Sequence, residues 1–382
     1  MDFSALDRFL DSLISDKGFP MFDTTVHVKY KEVYRRQGGF IDLDARRTHL
    51  PDTTYNIYSC SKPITCTAAL TLMEQGRFLL SDPVSDYLPE FADVRVGEKQ
   101  PDGSLTLRPP KRPITIRDLF TMTAGLSYNL GHPAIRAAVE KTGGHAPTRE
   151  IVRAIAEMPL LFDPGEKWNY SLCHDVLGAL IEVISGVPFG EYVRRTVFEP
   201  LGMTHSSYRA SDALLASMAQ QYRFNNDHTA LETVGRERCA YRFGDEYESG
   251  GAGVISTAED YIRFGDMLSN GGVGANGARI LASDTIELMR TDFLNEKQFA
   301  TFGWRQMIGY SYGLGVRTMI DRAAGGSIAP LGEFGWGGAA GALMFFDPSS
   351  GTAVYHAQHT LNPMEEYVLP RLRNVVFACL GR

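Results

Sequence analysis

Cysteine is scarce in this 382-residue sequence, and the five that occur, Cys60, Cys66, Cys173, Cys239 and Cys379, include no CxxC pair. An odd number cannot close fully into intrachain disulfides, so buried free thiols in a reducing compartment are expected. No run of about 18 apolar residues is present to span a bilayer. The amphipathic start places Phe3, Leu6, Phe9, Leu10 and Leu13 at helical spacing but is interrupted by four acids, unlike the unbroken apolar core of a signal peptide. A soluble, cytoplasmic protein is expected. Neither sign of charge dominates: 38 Lys and Arg are interspersed with 45 Asp and Glu, for a net charge of −7. That balance offers nothing to nucleic acid or anionic lipid and leaves a small or neutral substrate as the expectation. Internal repeats, low-complexity segments and a GxSxG nucleophile elbow are all missing, which sets aside repeat architectures and the α/β-hydrolase route to a reactive serine.

What the chain does have is an ordinary globular composition, 44% apolar and 22% charged, at a length that suits a large core and two lobes. Residues 24–34 are rich in β-branched and aromatic side chains and read as strand, with a turn at Gly38 and Gly39. Ile64, Ala68, Ala69, Leu72 and Met73 repeat at helical spacing up to Gly76, a natural C-terminal stop. Pro63 lacks an N–H and is tolerated only within about the first helical turn, so this helix should begin near Ser59. Helices dominate from about residue 85 to 240, including 149–158 and 175–184. Residues 97–112 read as a surface connection. Short strands return at 312–317, 342–346 and 352–356, before a last helix over 363–380. Strands at both ends around a helical middle predict an α/β (α+β) protein. Its mainly antiparallel sheet domain would be discontinuous, over 1–84 and 241–382, with a mainly helical domain inserted over 85–240.

Three stretches carry chemistry. Ser59-Cys60-Ser61-Lys62 puts a hydroxyl and an amine one helical turn apart on the same face. A lysine desolvated there can lose its proton and act as base, while the helix N-terminus favours developing negative charge. The word follows a strand-like segment and opens an almost wholly apolar helix, where a lysine serves no solubility purpose. Next, Asp163-Pro164-Gly165 turns the chain toward Tyr170, just ahead of another apolar helix, where a tyrosine could relay a proton. Last, Trp336-Gly337-Gly338-Ala339 is a glycine-dense strand whose backbone N–H groups could meet an oxyanion or whose glycines could mark a bend.

In this order the three stretches resemble the penicillin-recognising serine hydrolases: class C β-lactamases, D-alanyl-D-alanine peptidases and the β-lactamase-like esterases. The resemblance spans nearly the whole chain. It implies a β-lactamase/transpeptidase-like fold with Ser59 as nucleophile, Lys62 and Tyr170 sharing its proton, and the backbone N–H groups of Ser59 and Ala339 as oxyanion hole. It implies no metal or organic cofactor, and a small-molecule ester or β-lactam-like compound as the partner; it does not set an oligomeric state.

Two departures from the family pattern point to its esterase branch. The usual Tyr-x-Asn has Leu172 in its third place, and the usual Lys-Thr-Gly strand word is replaced by Trp336, Gly337 and Gly338, leaving an aromatic wall. Leu172, Trp336, Gly337 and Gly338 are therefore expected to line a relatively apolar substrate pocket. A literal Lys141-Thr142-Gly143 precedes Tyr170 and is read as coincidence. His356 and His359, three apart on a strand, would face opposite ways and cannot converge on one metal ion. Cys60 is read as structural. The sequence thus predicts a carboxylesterase working through an acyl-enzyme; β-lactamase or carboxypeptidase activity, acyl transfer and slow-deacylating sensing are the alternatives.

Overall fold

The computed structural model describes residues 1–236, 239 and 241–381. Seven strands make one antiparallel sheet: β1 Met21–Val28, β2 Lys31–Gly39, β3 Tyr310–Tyr312, β4 Arg317–Met319, β5 Phe334–Gly337, β6 Leu343–Asp347 and β7 Thr352–Ala357. Their order is β2-β1-β7-β6-β5-β4-β3, so strands from opposite ends of the sequence pair inside the sheet, Thr24 of β1 opposite His356 of β7. Alternation along β6 shows why the sheet is covered on both faces. Phe345 points to helix α5 (Glu365–Cys379), its ring 5.9 Å from that of Phe377. Its neighbour Phe346 points the other way, to α4 (Ala258–Ser269), where Gly265 makes room: a Cβ there would stand 2.6 Å from the Phe346 ring. The amphipathic α1 (Ser4–Ser15) buries Leu6, Leu10 and Leu13 and packs beside α5.

The helix opened by the serine-lysine word is α2 (Ser61–Glu74), buried on every side from Ser61 to Leu72. A helix apolar all round has to be a core helix, and α2 packs against α3 (Cys173–Ser185), the second apolar helix. One continuous hydrophobic cluster joins these helices to the sheet. Among the described residues, no single helix is long and apolar enough to cross a membrane.

Three local readings change. The turn between β1 and β2 is at Lys29 and Tyr30, with φ of 49° and 68°, rather than at Gly38 and Gly39. Such turns favour glycine and asparagine, so the sequence carries no mark of this one. Residues 312–317 are mostly the turn of the β3–β4 hairpin, closed by the Gly313 N–H on the Val316 carbonyl at 2.8 Å and by Gly315 at φ 84°. The presumed connection over 97–112 holds an antiparallel ribbon, Val96–Lys99 with Leu105–Arg108, largely exposed.

Candidate active site

The site forms where α2 meets the end of β5 and the start of α3. A strand, Thr54–Asn56, leads into a single 3₁₀ turn, Tyr58–Cys60, before α2. Tyr58 takes φ 48°, costly for a residue with a side chain. Its hydroxyl, donating to Gln221 Oε1 at 2.8 Å, helps fix it there. The sharp turn puts Ser59 at the mouth of α2, 8% exposed, with Lys62 one turn further in and fully buried.

Lys62 Nζ donates to Ser59 Oγ at 3.3 Å and to the Gly251 carbonyl at 2.7 Å. Burial brings its pKa down to about 8, against the opposing pull of Asp175. The Tyr170 hydroxyl donates to Ser59 Oγ at 2.5 Å and accepts the Trp336 indole N–H at 3.3 Å. Burial pushes the Tyr170 phenol up, moderated by those same two hydrogen bonds. Near neutral pH the arrangement therefore holds a protonated phenol and a partly neutral amine on one serine oxygen. Aromatic rings hold Tyr170 in place: Tyr128 at 5.2 Å, Trp336 at 5.7 Å and Trp304 at 5.1 Å between centroids.

The glycines after Trp336 have a packing cause. A Cβ on Gly338 would lie 2.2 Å from the carbonyl oxygen of Ile57, two residues before the serine. Only glycine lets the end of β5 lie on the nucleophile turn, and Ala339 is the next residue along the chain. Ala339 lines a cavity of about 760 Å³ together with Tyr58, Gln221, Tyr241 and Arg242.

The structure thus brings Ser59, Lys62, Tyr170 and Trp336 together. Trp336 is 2% exposed, its indole N–H engaged by Tyr170. Leu172, the residue just before α3, is 1% exposed and packed in the hydrophobic core. Lys141 ends a surface helix and pairs with Glu150 at 2.7 Å. His356 bonds Thr24 at 2.7 Å, and His359 accepts the Asn56 N–H at 3.1 Å, so both are packing groups. Cys60 is buried, its thiol pushed up by desolvation. Among the described residues no group of three or more His, Cys, Asp or Glu could hold a metal ion.

Sequence reasoning missed Asp175. It is 1% exposed on α3 and accepts hydroxyl hydrogen bonds from Tyr247 and Ser249, both at 2.6 Å. The point where a Gly251 side chain would begin is 2.7 Å from Asp175 Oδ2 and 3.3 Å from Lys62 Nζ, so glycine lets carboxylate and amine approach. The signal was weak: an aspartate in the first turn of a helix is ordinary, and α3 carries a second carboxylate at Glu182.

Comparison with known proteins gives the family. The family model described as Beta-lactamase matches residues 6–375. Protein Rv1367c of Mycobacterium tuberculosis is 31% identical over 345 residues, covering 88% of this chain and 85% of the relative. Esterase EstB of Burkholderia gladioli is 29% identical over 367 residues, covering 91% and 88%. Among solved structures, EstCE1, described as a hydrolase with promiscuous acyltransferase activity, superposes with a TM-score of 0.79 at 25% identity, covering 98% of this chain and 97% of that one. This chain belongs to the β-lactamase family of penicillin-recognising serine hydrolases.

Proposed function

We propose that this serine hydrolase is a carboxylesterase that acts on small, relatively apolar esters through an acyl group carried on Ser59. The observation that carries the reading is the convergence of the Lys62 amine and the Tyr170 hydroxyl on Ser59 Oγ. Neutral Lys62 takes the Ser59 proton as Oγ bonds to the ester carbon. The carbonyl electrons pass to the oxygen, which the Ser59 and Ala339 N–H groups receive; the Ala339 N–H has no other acceptor among the described residues. As the tetrahedral adduct collapses, the alcohol leaves with the Tyr170 proton and Lys62 re-protonates the tyrosine. Water then attacks the acyl-serine with the same groups acting in reverse. Support for esters comes from the aromatic wall that Trp336 forms against Tyr170, and from the likeness to EstB.

Acyl transfer is the second reading, favoured by the likeness to EstCE1; an alcohol would replace water in the second half-reaction. Time-resolved intact-protein mass spectrometry with a short-chain p-nitrophenyl ester, and separately a cephalosporin, tests both. A transient adduct on Ser59 with steady ester turnover, lost in Ser59→Ala, is the expected result. Faster turnover of the cephalosporin would make the protein a β-lactamase, and faster release of the adduct to added alcohol than to water an acyltransferase. Unchanged turnover by Ser59→Ala would overturn the mechanism.

A further inference from the structure

The aromatic wall behind Tyr170 reaches solvent at Trp304, which is 37% exposed and lies 5.1 Å from the Tyr170 ring and 6.1 Å from the Trp336 ring. Two residues further on, the Gln306 amide meets the carboxyl of Glu365, the first residue of α5. Glu365 is partly exposed, and its Oε1 stands 2.7 Å from where a Gly337 side chain would begin. A carboxylate therefore occupies the space that glycine vacates at the end of β5, two residues before Ala339. Its field reaches the Tyr170 hydroxyl, where it opposes ionisation. Arg317 is fully buried on β4 and paired with Glu333 at 3.5 Å, while Arg305 and Glu366 face solvent, 3.7 Å apart. Burial leaves the Glu365 carboxyl above its ordinary value, although Arg317 and Gln306 draw it part of the way back; the helix N-terminus works in the same direction as those two.

We propose that the ground between Trp304 and Glu365 is a subsite for a cationic group of the ester, an ammonium or quaternary ammonium carried a few bonds from the reacting carbonyl. An exposed indole face attracts a cation through its quadrupole, and a carboxylate beside it completes the charge match. The same carboxylate repels an anion, so this corner sorts substrates by charge while the rest of the wall sorts them by apolarity. The inference rests on the acyl-Ser59 reading and adds the substrate class to it.

The test compares butyrylcholine with 3,3-dimethylbutyl butyrate, of the same shape without the charge, as a ratio of kcat/KM within each variant. In the wild type the cation should be preferred about tenfold, the size of one cation–π contact with a partly screened ion pair. Glu365→Gln should bring the ratio down to about two, Glu365→Asp should keep most of it, and Trp304→Leu should lower it. Tetramethylammonium should slow the labelling of Ser59 by an uncharged fluorophosphonate in the wild type and much less in Glu365→Gln. A wild-type ratio of one or below, or a ratio that survives Glu365→Gln, overturns the subsite while leaving the esterase intact. Failure of Ser59 to acylate or label with any probe overturns the acyl-enzyme reading and the subsite with it.

Discussion

Asp175→Asn is expected to move the rising limb of the acylation rate toward acid. Lys62 accepts the serine proton only when neutral, and its pKa of about 8 reflects burial opposed by the Asp175 carboxylate. At pH 7.5 about a quarter of the amines are then neutral, against about one in a thousand for an unperturbed lysine, a gain of about 200-fold in competent enzyme. The shared approach to Gly251 puts carboxylate and amine within about 6 Å, worth about 2.8 kcal/mol at that separation and an effective dielectric of about 20, or about two pH units. Asparagine keeps an oxygen for the Tyr247 and Ser249 hydroxyls, so the geometry should survive. Removing the negative charge destabilises the ammonium and lowers its pKa. The limb should therefore fall from near pH 8 to between about 6 and 7. Stopped-flow measurement of the p-nitrophenol burst across the pH range reads this directly. A limb that stays in place, or moves to higher pH, would refute the assignment of Lys62 as the base tuned by Asp175.

Trp336→Phe keeps the stacking on Tyr170 but deletes the indole N–H that the hydroxyl accepts; kcat/KM should fall about 5- to 20-fold with little change in Tm, and an unchanged rate would deny that bond a role. Gly338→Ala forces a methyl onto the Ile57 carbonyl and should lose most of the acylation burst. Gly303→Ala, where a Cβ meets nothing within 4 Å, should keep that burst; equal bursts in the two variants would remove the packing argument. Burial brings His174, His356 and His359 down to about 3, 3 and 4. Below about pH 6.5 the unfolded chain binds protons that the folded one refuses. Stability should thus be full above that pH and fall toward pH 4 by up to about 4 kcal/mol per unit; equal urea midpoints at pH 7 and 5.5 would contradict this.

Ser59 and Lys62 could be read in the sequence because their partnership is local, one helical turn written in four letters. Tyr170 was visible only through the Asp163 turn and the apolar helix behind it. Trp336 was legible as an aromatic departure, but its bond to Tyr170 depends on how β5 lies against α3, which no local pattern records. Asp175, Gly251, Tyr128 and Glu365 enter the site from separate elements, and their meeting is a product of packing. The hairpin turn at Lys29 and Tyr30 escaped because tertiary pairing, not residue preference, imposes its positive φ.

The pairing of β1 with β7 also bears on the making of the protein. Thr24 and His356 lie side by side across β1 and β7, yet 332 positions separate them in the chain. At ribosomal speed, about 5 to 20 residues per second, β1 waits roughly 17 to 66 seconds for the strand that covers its edge. During that interval the β1–β2 hairpin presents unpaired backbone to its surroundings, a template for pairing with a neighbouring nascent chain. Ser59 has already been synthesised, but the turn carrying Ala339 has not, so the nucleophile is made long before it can be armed. Chaperone demand and temperature during expression, more than the stability of the finished fold, should therefore set how much active enzyme a cell accumulates.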